Sequence, residues 1–508
     1  MSGISRIFLT LTLVLSPAFF LTAQEVHDHP APETVGEVSF PISCAPAIQP
    51  EFNRAVALLH SFAYTAAQNT FQEVAAHDPS CAMAHWGAAI TYFHQLWDPP
   101  ILPATVALAE GEIQQAQRIG TNSERERRFI HALALIFKDA STVPYKTRVL
   151  NYEHAMEDLA AENKKDVEAQ VFYALALLAS ASPADKTHRK QKEALDLLEP
   201  LYRVYPQHPG IPHYIIHACD NAELAARGLP AAKAYAKIAP SVPHALHMPS
   251  HIFTRLGLWD ESIASNIAAK NAAQRLGDVG EELHAMDYLE YAYLQGGRDT
   301  EAAGVIQELK KMLAKNSAEF KNNPDFKIGY AATAMPVRYV IERRQWADAV
   351  NIVPPIGAPP HVIAVAIWAR GLGLARSRTA GSNKEIEKLQ QLEDQLHASG
   401  NDYWATQVRV MKREVMAWSA EASHQPDQAV TLLRAAADEE DAVEKLPVTP
   451  GPIVPAREQL GDLLLEQGQP EQASKEFEIA LVNAPGRRGA LQGTAKAAEL
   501  SGKKSSGF

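Results

Sequence analysis

The stretch 460-LGDLLLEQGQPEQASKEFEIALVNAP-485 decides the fold. It reads as two helices meeting at Gly468, with Ala473, Phe477 and Ala480 on the second helix and Pro485 ending it. Small alanines let the second helix lie close against the first, and the phenylalanine wedges between neighbouring hairpins. A single hairpin of this kind cannot bury its own apolar face, so it predicts further copies stacked beside it.

Copies are present. 64-YTAAQNTFQEVAAHDP-79 carries the same ladder at Ala67, Phe71 and Pro79. 257-GLWDESIASNIAAK-270, 296-GGRDTEAAGVI-306 and 344-RQWADAV-350 repeat the turn and the start of the second helix. The spacing is that of a tetratricopeptide (TPR) unit, with a period of ~34 residues, which leaves room for roughly a dozen hairpins, several of them degenerate. Strand-like alternation is nearly absent. The expected fold is therefore all-α, a TPR-type superhelix (α-solenoid) of stacked helical hairpins.

The 508 residues are 46% hydrophobic with a net charge of −11, which suits a folded helical chain and argues against a nucleic-acid partner. Residues 1–23 read as a signal peptide: Arg6 precedes an apolar run from Ile7 to Leu21, too short for a membrane span. No later run reaches the ~18 apolar residues of a transmembrane helix. The chain is thus expected to be exported, periplasmic or secreted. Residues 24–48 read as an extended arm, 49–200 as N-terminal hairpins and 201–350 as central units. Residues 351–500 follow as C-terminal units, and 501–508 as a frayed tail. Of three cysteines, Cys44 and Cys81 are candidates for a disulfide, with Cys219 left over.

The repeat then serves as a ruler. Counting back from the turn glycine Gly257 reaches His244, with His247 and His251 three and seven positions on. The same count from Gly297 reaches His284, Asp287 and Tyr291, and in the preceding unit it reaches His213, His217 and Asp220. Three successive helices therefore present His, Asp and Tyr on one face. Neutral imidazole is a common ligand of zinc and copper, and helical pairs at i, i+3 or i, i+4 converge on one ion. His213, His217, His244, His247 and His251 are the expected metal ligands. Asp220 or Asp287 would orient them or act as general base, and Arg255 or Tyr291 would meet a substrate. Against this stands a groove in which the same residues, with His284, line a channel for a peptide. The pair at 27-HDH-29 reads as solvated, and 124-ERERR-128 as a solvated helix face. GxSxG, P-loop, strand-borne GxGxxG and HExxH motifs are all absent, which leaves hydrolase and nucleotide chemistry without support.

The segments 52–100, 208–259 and 447–473 make the chain resemble an exported bacterial TPR family without an established activity. The resemblance implies matching histidines at 213, 217, 244, 247 and 251. It also implies a histidine directly before the PVTPGP loop, where this chain has Leu446. Two functional readings follow. One is an exported TPR scaffold with a protein or peptide partner in a concave His-rich groove. The other is a copper- or zinc-dependent metalloprotein or enzyme using residues 213–287.

Overall fold

Left-handed turns at the ends of helices set the architecture. In the computed structural model, Phe62, Gly257, Gly297, Arg344, His424 and Gly468 take left-handed φ values of 53°, 68°, 73°, 55°, 59° and 72°. In each turn the next residue's amide donates to the carbonyl five positions back. These bonds are Ala63 to Leu58 (3.0 Å), Leu258 to Phe253, Arg298 to Tyr293 and Gln469 to Leu464 (2.8 Å each), and Gln345 to Val340 and Gln425 to Ala420 (2.9 Å each). This is the Schellman closure of a helix end. A new helix then starts two residues after the turn residue, at Tyr64, Trp259, Asp299, Trp346, Pro426 and Pro470. The same local device recurs at Gly277 (Asp278 N–H to Ala273 O, 3.0 Å) and Gly400 (Asn401 N–H to Leu396 O, 2.9 Å), and consecutive helices pack in chain order.

The structure describes residues 33–96, 101–315 and 326–502, with side chains from 329 in the last segment. The chain divides into units 1–33 and 34–508. The expected signal peptide, the HDH tract and most of the tail fall outside the described residues. Within the second unit the chain is an all-α solenoid, and among the described residues there is no strand. Nor is any described helix long and apolar enough to cross a membrane.

Packing between hairpins follows the Ala/Phe ladder. A Cβ at Gly87 would lie 2.2 Å from the Phe71 ring, and one at Gly461 would lie 2.6 Å from the Phe477 ring. Glycine is required at both because the aromatic ring lies directly on the neighbouring helix backbone. The central hairpins are longer than the ~34-residue period, with helices of 18 residues (Trp259–Leu276) and 17 residues (Val279–Gln295).

The arm does not hang free. Phe40 is fully buried against Phe52, Trp86, Phe129 and Phe172, and Glu37 N–H donates to Gln207 O at 2.9 Å. Cys44 and Cys81 are bonded, which ties the arm to the second hairpin. The 124–128 segment is only partly a solvated face, since Glu126 is buried and accepts from Ser43 Oγ at 2.6 Å.

The C-terminal hairpins return to the central ones. Glu444 N–H donates to Pro183 O at 2.8 Å, and Lys445 Nζ donates to Asp220 Oδ2 at 2.6 Å. Trp259 Nε1 donates to Gly486 O at 3.1 Å, and the Arg488 amide donates to Gln295 Oε1 at 2.9 Å. Val448 joins the apolar core of the N-terminal half. The superhelix thereby closes on itself, with the 446–452 loop pressed onto the helices that carry the histidines.

Candidate metal centre

Three stretches of helix supply six imidazoles. Gly210–Ala218 is apolar on every side, so His213 and His217 are held within packed surroundings. Gly210 lets this helix approach the preceding structure closely, because a Cβ there would lie 2.7 Å from His60 Nδ1. Pro243–His247 and Pro249–Arg255 run almost end to end through Met248 and carry His244, His247 and His251. His284 comes from Val279–Gln295. His213, His244, His247, His251 and His284 are at most 1% exposed, and His217 is half-buried.

This burial corrects the expected groove. The histidines do not line an open channel; they form a packed cluster. Phe62 stacks over one end, its ring centroid 4.4 Å from His213 and 5.5 Å from His244. At the other end Tyr288 lies between the imidazoles and the loop, its Oη 3.3 Å from His251 Nδ1, 3.0 Å from Pro447 O and 2.9 Å from Thr449 O.

Two triads result. Ligand-capable nitrogens of His213, His217 and His244 lie within 4.8 Å of one another, and so do those of His247, His251 and His284. His213 Nε2 and His217 Nε2 are 3.1 Å apart; His247 Nε2 and His251 Nε2 are 3.0 Å apart. With metal–nitrogen bonds of about 2.0–2.1 Å, such pairs would subtend roughly 95° at a shared ion. The side chains of each pair are therefore already disposed as neighbouring ligands.

The outer nitrogens fix the tautomers. His251 Nδ1–H donates to Asp220 Oδ2 at 2.9 Å. His247 Nδ1–H donates to Asn266 Oδ1 at 2.7 Å, and the Asn266 amide is oriented by donating to Ser262 O at 2.8 Å. His213 Nδ1–H donates to the His60 carbonyl at 2.6 Å. In neutral His247 and His251 both Nε2 atoms then carry lone pairs, and these face each other across 3.0 Å. Only a proton or a metal ion between them makes that contact favourable.

A proton there is disfavoured. Burial, then the neighbouring His251, holds His247 well below the ordinary imidazole value. Burial pushes His251 down to about 4, although Asp220 pulls the other way. Burial likewise lowers His213 and His217, followed by the neighbouring imidazoles. Burial thus favours the neutral form of all four, the form in which an imidazole can bind a metal ion.

Asp220 is the hub outside the rings. Arg255 Nε donates to its Oδ1 at 2.9 Å and Lys445 Nζ to its Oδ2 at 2.6 Å. Burial alone would raise this carboxyl, but Lys445 and Arg255, then His251, hold it well below the usual carboxylate range. Asp220 thus holds the His251 ring, and Arg255 is bonded to Asp220 and paired with Glu444.

Asp287 and Tyr291 do not join. Asp287 Oδ1 pairs with Arg338 NH1 at 2.6 Å, and Tyr291 Oη lies 3.3 Å from Arg487 NH1. From His284 the residue that faces the cluster is four on, Tyr288, whereas the ruler counted three and seven there, the offsets by which His247 and His251 follow His244. Tyr288 was thereby missed, although its i+4 spacing from His284 was visible in the sequence. Cys219 is free and buried, its thiol pushed up to about 12 by that burial, and it is not grouped with the imidazoles.

A third group, His60, Glu168 and His208, lies beyond Tyr214. Each Glu168 oxygen already has its own imidazole, His60 Nε2 at 2.8 Å and His208 Nε2 at 3.1 Å. These bonds tie the group into a buried network, with His208 Nδ1 left without a hydrogen-bond partner among the described residues.

Beside the centre opens a cleft of about 1300 Å³, its solvent-filled mouth included, lined in part by Arg255, Tyr291, Tyr330, Trp368, Trp404 and Lys445. Arg255 and Lys445 are its links to Asp220.

No protein-family model matches the sequence, and no curated protein matches it either. Among solved structures, yeast Tom70 is similar at 10% identity and a TM-score of 0.33, over 89% of this chain and 88% of that one. A human IFIT1 dimer with m7Gppp-AAAA is similar at 10% identity and 0.38, over 83% and 90%. The P58(IPK) TPR domain is similar at 10% identity and 0.22, over 90% and 98%. The fold assignment stands on the hairpin geometry described above.

Proposed function

We propose that the protein is a helical-repeat metalloprotein that holds copper or zinc at His247, His251 and His284. The observation that carries this reading is the 3.0 Å approach of two Nε2 lone pairs whose Nδ1 atoms are both committed as donors. All-imidazole ligation suits copper and zinc, and an Asp–His pair behind the ligand raises its basicity. Export fits the same picture: the N-terminal sequence supports it, and so does the Cys44–Cys81 disulfide, a bond that persists in oxidising compartments.

Elemental analysis of untagged protein, beside a His247→Ala/His251→Ala variant, tests the reading. Near-stoichiometric copper or zinc, lost in the variant, is expected. No metal in either protein after incubation with copper and zinc would refute it.

The aromatic cleft supports a second, compatible reading, the scaffold that binds a peptide or small ligand, with Arg255 and Lys445 at the wall shared with the centre. A variant filling the cleft, Ala222→Trp, would then abolish ligand capture while leaving metal content unchanged. Equal capture by both proteins would refute the cleft.

A further inference from the structure

The structure assigns a second metal ion to His213, His217 and His244, close enough to the first for one small anion to bridge the two. This inference rests on the metal reading of His247, His251 and His284 and extends it.

The second triad has the features of the first. Its three nitrogens lie within 4.8 Å, and the His213–His217 pair has the same separation, within 0.1 Å, as His247–His251. His213 is locked with Nε2 inward by the His60 carbonyl, and His244 Nδ1 is 3.2 Å from Glu281 Oε2. His217 Nδ1 has no hydrogen-bond partner among the described residues, so that ring is free to present Nε2 as a lone pair. The triads are contiguous. Ring centroids across the divide are 5.9 Å apart for His217–His251, 6.1 Å for His244–His247 and 6.5 Å for His244–His284. Ions bound on the inner side of both triads would fall in the range of bridged metal pairs.

The two positions are not equivalent. The His247–His251 contact has no neutral hydrogen-bonded alternative, whereas His217 can place its proton on Nε2 and donate to His213. The first ion therefore binds at His247, His251 and His284, and the second must displace a hydrogen bond.

Charge identifies the third component. Two divalent ions bring four positive charges into a buried site, and imidazole ligands bind them through a lone pair without adding a negative charge. The carboxylates bonded to these rings are Asp220 and Glu281, and Asp220 already faces Arg255 and Lys445. A bridging anion supplies the missing charge with no protein group displaced. The chemical class is a small hard anion: hydroxide, or azide as its probe. The half-buried His217 marks the side from which it enters.

The test is Cu(II) titration of the full chain, followed by equilibrium dialysis and electron paramagnetic resonance. Two copper ions per chain are expected, with the signal of the first equivalent falling as the second binds and azide is added, because bridged Cu(II) spins couple. A His217→Ala/His244→Gln variant with wild-type circular dichroism should hold one ion and keep its full signal. One ion in the wild type overturns the pair and leaves the metal reading standing; none overturns both. Loss of both ions from the folded variant means one shared site and also overturns the pair.

Discussion

Replacing Asp220 with asparagine is the most informative single change. The substitution is nearly isosteric, so packing around the side chain, which is 5% exposed, is preserved. What changes is that Lys445 and Arg255 lose the negative charge at 2.6 and 2.9 Å, and the amide turns donors toward groups that are themselves donors. Lys445 is worst placed, since burial already pushes it down to about 8. Removing one partner of a buried pair costs about 3–5 kcal/mol, because the other charge stays desolvated. Arg255 is cushioned by the Asp220 carbonyl at 2.8 Å, which argues for the lower half of that range. The native carboxylate contributes its stability above the unfolded aspartate value of about 3.9, and loses it only as pH falls below that. Urea unfolding of metal-free protein at pH 7 measures the difference. Asp220→Asn/Lys445→Met, which removes the stranded cation, should recover most of the loss. In the metal-loaded protein the single variant should also weaken the His247/His251/His284 ion by about 10–100-fold, because His251 loses the carboxylate behind it. An Asp220→Asn variant within about 1 kcal/mol of wild type would refute the view that Asp220 binds the C-terminal loop to the histidine helices.

The packing account predicts opposite signs for two Gly→Ala changes: Gly87→Ala, aimed into the Phe71 ring, should destabilise by about 1–3 kcal/mol, whereas Gly304→Ala, with nothing within 4 Å, should stabilise by about 0.5–1 kcal/mol. Paired urea midpoints check both, and a shared sign would sink the argument. Burial pushes Glu440 up to about 8 and lifts Glu414 well above its usual value, so both carboxyls bind protons more tightly folded than unfolded. Stability should therefore fall as pH rises from about 4.5 to 8, by at most about 1.4 kcal/mol per unit for each group. Glu440→Gln, with its amide oxygen still able to accept from Ala456 N, should flatten that slope; an unchanged slope counts against it.

Hairpin geometry was legible because it is local. A turn residue, a small residue and an aromatic at fixed spacing dictate a helix end and a close helix–helix contact whatever the rest of the chain does. Four histidines of the cluster, His213/His217 and His247/His251, were legible for the same reason, since i, i+4 pairs on one helical axis must share a face. Three things were not. The ruler treated the Val279–Gln295 helix as a copy of its neighbours, but the residue that faces the cluster after His284 is Tyr288, and Asp287 turns away to Arg338. Lys445 lies 225 positions from Asp220, and only closure of the superhelix brings them together. Burial was hidden as well: spacing places residues on a face but does not say whether that face meets solvent or a returning loop.

That closure also explains how a solenoid can bury a histidine cluster of this kind. An open array of hairpins leaves its inner face wet, where imidazoles titrate near neutrality and compete with water for their partners. Here the 446–452 loop and Phe62 cover the helices that open three successive hairpins, and those helices themselves bring the imidazoles together. The cost is a buried Asp220 with two cations, and those same groups fasten the loop that makes the burial possible. Stability and ligand orientation therefore run through one carboxylate. Metal binding should in turn tighten the contact between the two halves of the chain, because an ion that strengthens the hold on His251 also strengthens the hold on Asp220 and, through Lys445, on the loop.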